Sequence, residues 1–306
     1  MKMKVLLSFI NILVPLLLAP LLGGVINRTK AFFAGRSGQP LLQGYYDILR
    51  LLRKGAVYSR TTTWIFPAGP LCGLAAILTA TALVPFAGAR APLAFSGDLF
   101  LFAYLLGLAR FFTITAALDT GSSFEGMGAS REAQFSALAE PILFLSLCAI
   151  ARVGGSLSLS GMVASLSLDS WIRTGPVMIL AGAAILFVFL TENCRIPVDD
   201  PNTHLELTMI HEVMVLDHSG PDLAFIQYGA ALKLWLFAAL LAEIVLPFHM
   251  GNPLTDIPMG ICAQLVLAVL VGIIESTMAR FSLLRVPQML VAAGALALFA
   301  LLLTMR

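Results

Sequence analysis

The charges of this chain are gathered into a few short segments between long apolar runs, and that spacing rules out most ways of folding. Asp, Glu, Lys and Arg make up 12% of its 306 residues, against 59% hydrophobic. Mean hydropathy is +0.92. Such a chain has too few polar groups to present a wetted surface, so lipid must be its solvent. A hydrocarbon core about 30 Å thick is crossed by about 20 apolar residues in helical form. Eight runs meet that test, at 5–27, 64–87, 98–118, 134–154, 175–191, 224–248, 257–275 and 286–304. Backbone amides cannot stay unpaired in lipid, and the period-2 alternation of a barrel is absent, so the runs are expected to be helices. The expectation is an all-α, polytopic membrane protein with about eight transmembrane helices in a single membrane domain, 1–306. The first run follows Lys2 and Lys4 but is longer than a signal-peptide core, and it reads as a retained span.

With eight spans, the segments 28–63, 119–133, 192–223 and 276–285 share one side. Eleven of the nineteen Lys and Arg residues fall there and five fall opposite, while Arg110, Arg152 and Lys233 lie inside spans. The positive-inside rule then makes these four segments cytoplasmic loops and puts both termini outside, with Lys2 and Lys4 as the dissenting charges. The cysteines, Cys72, Cys148, Cys194 and Cys262, show no CxxC spacing. No zinc site, iron–sulfur cluster or haem attachment can be read from them, so no cofactor, metal or catalytic centre is expected on this chain.

Two loops carry most of the polar chemistry. In the first, Gly35, Gly38 and Pro40 break the chain after the opening span. From Leu41 to Leu52 the apolar residues form a helical stripe, with Gln43, Asp47, Arg50 and Lys54 on the polar side. Such a helix either lies flat on headgroups or offers a docking surface to a soluble partner. The segment 192–223 holds Glu192, Asp199, Asp200, Glu206, Glu212, Asp217 and Asp222, seven of the seventeen acids. Pro197 and Pro201 impose an extended stretch, and Asp200 or Asn202 is placed to cap a helix running to about Leu216, before Gly220-Pro221. His204, His211 and His218 recur every seven residues. On a helix each step is about 10 Å, too far for two of them to share a metal, so proton relay or structural hydrogen bonding is the expected role.

Arg110, Glu140, Arg152, Lys233 and Glu243 fall within the apolar runs. Each costs at least about 2.5–3.5 kcal/mol on insertion scales, so they must pair between helices or line a polar path for protons. Lys233 and Glu243 lie ten residues apart, about 15 Å along a helix, and are not expected to pair with each other.

Three motifs together carry a resemblance. Arg36-Ser37-Gly38-Gln39-Pro40 with Gln43, Asp47 and Lys54 resembles the R-x-G-P, Gln, D-x-x-K-L signature of the complex I subunit 1 family. Gly128-Ala129-Ser130-Arg131-Glu132-Ala133-Gln134 with Glu140 resembles its second-loop signature. Glu192-Asn193-Cys194-Arg195-Ile196-Pro197-Val198-Asp199, with Glu206-Leu207 and Asp217-His218-Ser219-Gly220, resembles its E-x-x-R-x-P-F-D-L, E-L and E-Y-S-G elements. The likeness runs over nearly the whole chain. Asp200 and Pro201 depart from the pattern, and His204 stands where complex I has an acid. The stretch 121–132 is closer to the hydrogenase branch, the formate hydrogenlyase subunit 4 type found in group 4 nickel–iron hydrogenases.

The resemblance implies a non-catalytic anchor in a bacterial or archaeal cytoplasmic membrane. It implies peripheral large and small hydrogenase subunits, a ferredoxin-like subunit and antiporter-like membrane subunits as partners, beside lipid and without nucleic acid. The nickel–iron centre and iron–sulfur clusters would sit in those partners. Arg131, Glu140, Glu192, Arg195, Asp199 and Glu206 would form the junction between redox module and proton path, with Lys233 and Glu243 as further in-span members. Arg36, Gln43, Asp47, Lys54, His204 and Asp217 would serve docking. Two other readings stand beside this one: a quinone-site subunit of complex I, which the altered acid positions weaken, and a stand-alone secondary transporter, for which no inverted repeat is evident.

Overall fold

The computed structural model describes residues 2–200, 209–246 and 251–305, with side chains from residue 9 onward. His204 and Glu206 therefore lie outside the described residues. Ten α-helices occur among the described residues, with no extended strand. They are α1 (Lys2–Phe33), α2 (Gln43–Leu52), α3 (Ile65–Thr81), α4 (Asp98–Asp119), α5 (Ser123–Gly154), α6 (Leu159–Ser165), α7 (Leu168–Glu192), α8 (Gly220–Val245), α9 (Pro253–Thr277) and α10 (Arg285–Leu303). Seven are long and apolar enough to cross a membrane. The eighth apolar helix, α3, has 17 residues, about 25 Å of helix; the buried turn residues Ala82, Leu83 and Val84 extend it.

Exposure is inverted relative to a water-soluble protein. Tyr104 is 77% exposed and Phe299 61%, whereas Asp199, Glu275 and Glu192 are at most 5% exposed. Large apolar side chains face outward because acyl chains solvate them, and charges turn inward because acyl chains do not. One sub-bundle packs α5, α7 and α10 together, and another packs α1 against α8 and α9, with α3 lying between α4 and α8. Contacts of α4 with α5 and of α7 with α8 join them.

Helix ends explain where the chain turns. Lys30 in the last turn of α1 complements the negative end of its dipole. Gly35, at φ 66°, closes that helix with Arg36 N–H donating to the Ala31 carbonyl at 2.9 Å. The short α2 has no buried residue and lies along α8 and α1; Leu41, Leu42, Leu49 and Leu52 of the apolar stripe stay exposed, while Gln43 and Asp47 turn toward the interior. Within α7, Thr174 leaves helical geometry just before Pro176, where the proline removes a donor and kinks the helix.

The four charge-rich segments meet at one end of the bundle. Thr63 donates to Asp119 from its backbone at 2.7 Å and its hydroxyl at 2.9 Å. Val57 N–H donates to Ser219 Oγ at 3.1 Å, Asp217 N–H to Glu125 at 3.1 Å, and Phe281 N–H to the Pro197 carbonyl at 2.8 Å. Two local expectations differ from the structure. Only 120–122 of the expected loop 119–133 is non-helical, because the polar stretch from Ser123 joins the following apolar run as one 32-residue helix. Of the expected helix ending near Leu216, the described part, 209–216, holds a four-residue 3-10 turn, Glu212–Val215, and the rest lies outside the described residues. The Asp199 carboxylate accepts from Ile210 and His211 N–H at 3.2 and 3.3 Å, so these two donors serve a side chain rather than a helical carbonyl.

Candidate functional site

Arg110, from the middle of α4, occupies the seam between the two sub-bundles. Its Nε lies 3.0 Å from Glu132 Oε1, and its two terminal nitrogens reach Glu140 and Glu192. The planar fork of a guanidinium suits three simultaneous carboxylate contacts. Lys233 of α8 approaches Glu192 at 2.6 Å. His211 bridges onward, with Nε2 3.0 Å from Glu132 and Nδ1 3.6 Å from Asp199, and Arg280 meets Asp199 at 2.9 Å. A second cluster adjoins through Asp200. Lys30 lies 3.9 Å from Asp200 and 2.8 Å from Glu275, and Arg195 lies 3.4 Å from Glu275.

Charge balance in the first cluster depends on one proton. Arg110, Lys233, Arg280 and His211 face Glu132, Glu140, Glu192 and Asp199, so neutrality requires a protonated His211. Burial disfavours the imidazolium, yet the carboxylates of Glu132 and Asp199 hold its pKa well above the ordinary value. Burial likewise pushes Asp199 up, but its contacts with His211 and Arg280 win and its pKa is lowered. Burial pushes the Cys194 thiol up.

The turn that sets this geometry follows α7. Cys194 is a non-glycine residue at φ 54°, and Arg195 N–H reverses to the Leu190 carbonyl at 2.8 Å. The turn leaves Glu192 on α7 facing Arg110 while directing Arg195 to Glu275. Backbone held in this region is costly and persists where the surroundings fix it.

A cavity of about 680 Å³ opens beside the network. Its charged floor includes Arg110, Glu132, Glu192, Asp199, His211 and Lys233. Its walls are apolar, with Pro20, Gly23, Ile48, Leu74, Ile77 and Phe225 from α1, α2, α3 and α8. Gln43 and Asp47 also line it and bond to each other at 2.8 Å. Among the described residues no cluster of His, Cys, Asp and Glu has the form of a metal site.

The residues singled out from sequence divide clearly. Glu140, Glu192, Arg195, Asp199 and Lys233 lie in the two clusters. Arg131 donates instead to the Met209 carbonyl at 2.8 Å. Glu243 lies at the opposite end of α8 and accepts from Gly88 N–H at 3.3 Å. Arg36, Lys54 and Asp217 are exposed at the end where the loops meet. The sequence marked Arg110 as an in-span charge without placing it at the centre, carried Glu132 only as part of a motif, and did not single out Glu275 or the bridging role of His211. The available signal was an acid or base within or at the polar end of an apolar run; it identifies candidates without naming their partners.

Comparison with known proteins agrees with this architecture. The family described as NADH dehydrogenase matches residues 5–305. Formate hydrogenlyase subunit 4 of Escherichia coli strain K12 is 31% identical over 287 residues, covering 92% of each chain. Hydrogenase-4 component C of the same organism is 32% identical over 271 residues, covering 87% of this chain and 84% of that one. A chain in the structure of the membrane-bound sulfane sulfur reductase, an archaeal respiratory membrane complex, shares the fold with a TM-score of 0.85 at 20% identity, over 98% of this chain and 99% of that one. With its spans, its buried charge network and a match along almost its full length, this multi-pass membrane protein belongs to the NADH dehydrogenase subunit 1 family.

Proposed function

We propose that this chain is the non-catalytic membrane anchor and coupling subunit of a formate hydrogenlyase-type nickel–iron hydrogenase complex. The names of its two E. coli relatives support the hydrogenase setting. In this reading the four loops face the cytoplasm and carry the peripheral hydrogenase subunits and the ferredoxin-like subunit. Metal centres belong to those partners, and antiporter-like subunits lie alongside in the membrane. Arg36, Lys54 and Asp217, exposed where the loops converge, contribute to docking, while Gln43 and Asp47 shape the cavity beneath.

The observation that carries the coupling role is the unbroken sequence of charges from Asp199 through His211, Glu132 and Arg110 to Glu140. Its two ends differ. Asp199 lies beneath the loops with its side chain 3% exposed, whereas the Glu140 side chain is 49% exposed on the flank of the bundle. A change of charge above Asp199 alters the proton affinity of His211, and Arg110 divides its field among three carboxylates, so the disturbance reaches Glu140. Glu140 then exchanges its proton with a neighbouring membrane subunit.

Substitution Glu140→Gln in the assembled complex tests this. Redox turnover should persist while proton translocation is lost. Unchanged translocation at normal turnover would remove Glu140 from the path. The apolar-walled cavity favours a second reading, a quinone-site subunit. Specific displacement of a bound long-chain quinone by quinone-site inhibitors in the intact complex would establish it over the first.

A further inference from the structure

We propose that the end of the bundle opposite the charge network holds a seat for the phosphate of an anionic phospholipid, formed by Arg152 and Arg173. A cavity of about 360 Å³ lies there between three helices, lined by Arg152 and Val153 of α5, Arg173, Thr174, Pro176 and Val177 of α7, and Leu303 and Thr304 of α10. Arg152 lies in the last turn of α5, beside Leu303 and Thr304 at the end of α10. Its guanidinium therefore sits where these two apolar helices end, the level at which a spanning helix meets headgroups. Val153, Val177 and Leu303 continue the walls as the apolar surface that acyl chains cover.

The supply of donors points to an anion. Arg152 has no hydrogen-bond or ion-pair partner among the described residues. Arg173 gives one contact to Asp169 at 3.0 Å, with both side chains exposed, and keeps the rest of its donor fork. The two threonines cannot donate: Thr174 Oγ1–H is committed to the Ser170 carbonyl at 2.7 Å and Thr304 Oγ1–H to the Leu301 carbonyl at 2.6 Å. Recognition must then come from the two arginines, whose geometry suits phosphate oxygens. The α7 helix resumes at Pro176 after the break at Thr174, which brings the positive end of that helical segment to the same slot. The carbonyl ends of α5 and α10 oppose it, and the arginines offset them. Free phosphate offers the same oxygens, but the apolar walls favour a phosphate that carries acyl chains.

The seat would join the far ends of α5 and α7, the helices that bring Glu132, Glu140 and Glu192 to Arg110. The test uses the full-length chain in its assembled complex, exchanged into neutral detergent and examined by native mass spectrometry with phosphatidylglycerol, phosphatidylcholine or inorganic phosphate. Wild type should retain a phosphatidylglycerol adduct that the Arg152→Gln/Arg173→Gln pair holds about tenfold more weakly, the effect of losing roughly one charge-assisted contact. The Arg152→Lys/Arg173→Lys pair should keep most of it, which guards against a folding artefact. Arg90→Gln, a cation elsewhere at the same end of the bundle, should leave it unchanged. Equal adducts in wild type and the glutamine pair would overturn the proposal. So would an equal loss in Arg90→Gln, which would mean bulk surface charge, or displacement by inorganic phosphate as effective as by phosphatidylglycerol, which would mean a free-anion site.

Discussion

The two ends of the bundle handle buried polarity in opposite ways. At the loop-rich end, side-chain charges pair with other side-chain charges, from Glu140 and Arg110 through to Lys30 and Glu275. At the far end, buried polar side chains serve the backbone. Asp98 accepts from Leu159 N–H and the Ser158 hydroxyl, both at 2.7 Å, Ser160 accepts from Ala91 N–H at 3.0 Å, and Asn11 donates to the carbonyls of Ala89 and Arg90. A side chain bound to backbone has a fixed demand and gains little from changing its charge. A side chain bound to another ionisable group has a demand set by its neighbour's protonation. One end fastens loops, and the other is able to respond to charge.

That contrast can be broken most forcefully at Arg110. Arg110→Met leaves Glu132, Glu140 and Glu192 without their shared cation, and removing one partner of a buried ion pair costs roughly 3–5 kcal/mol. The yield of assembled protein and its melting temperature in detergent should both fall, and Arg110→Lys should recover part of the loss. Unaltered melting in Arg110→Met would show that the carboxylates are not held by this cation.

The next effect is expected where the loops close on one another. Gly220 has φ 56°, and a Cβ there would lie 2.6 Å from the Gly55 carbonyl oxygen. The nearest atoms are all backbone of Gly55 and Ala56, so Gly220→Ala should cost about 2 kcal/mol, read as faster proteolysis of the 53–57 segment. At the far end, Asp98→Ala leaves Leu159 N–H buried without its acceptor. A loss of about 1–3 kcal/mol is expected, read as a lower melting temperature in detergent. Unchanged melting would show that Leu159 N–H finds another acceptor.

The smallest effect sharpens the comparison through pH. His211 has a raised pKa, so its stabilising contribution is fully present below the ordinary histidine value and is lost as pH rises through the folded pKa. Asp199 has a lowered pKa, so its contribution is present above the ordinary carboxylate value and is lost as pH falls through the folded one. The melting-temperature difference between wild type and His211→Gln should therefore be largest in mildly acidic buffer and shrink as the buffer becomes alkaline. A constant difference would mean that His211 acts only through packing.

Much of the fold could be read from hydropathy, because lipid imposes length and composition on each span. The eight apolar runs correspond to α1, α3, α4, α5, α7, α8, α9 and α10, and the amphipathic stripe at 41–52 to α2. Polar helix was harder to see. The first turns of α5 carry Glu125, Arg131 and Glu132, and their polarity resembles that of a loop although their backbone is helical. Short α6 has no span-like signature. For the site, in-span charges were conspicuous one by one, but partners were not. Lys233 meets Glu192, 41 positions away in sequence, and Arg195 meets Glu275 across 80. Such pairings arise from the packing of helices distant in sequence, which a single chain's periodicity does not encode.

The half-open position of Glu140 has a consequence for the life of the molecule before assembly. Arg110 contacts one of its oxygens, while the outward side of the carboxylate has only acyl chains to meet in a lone copy. A neighbour offering a hydroxyl or an amine would remove that mismatch. Until then, an orphan copy carries a polar blemish on an oily flank, which sets it apart from an incorporated one. Lateral pairing in the bilayer thus has its own driving force, independent of anything that lands on the loops.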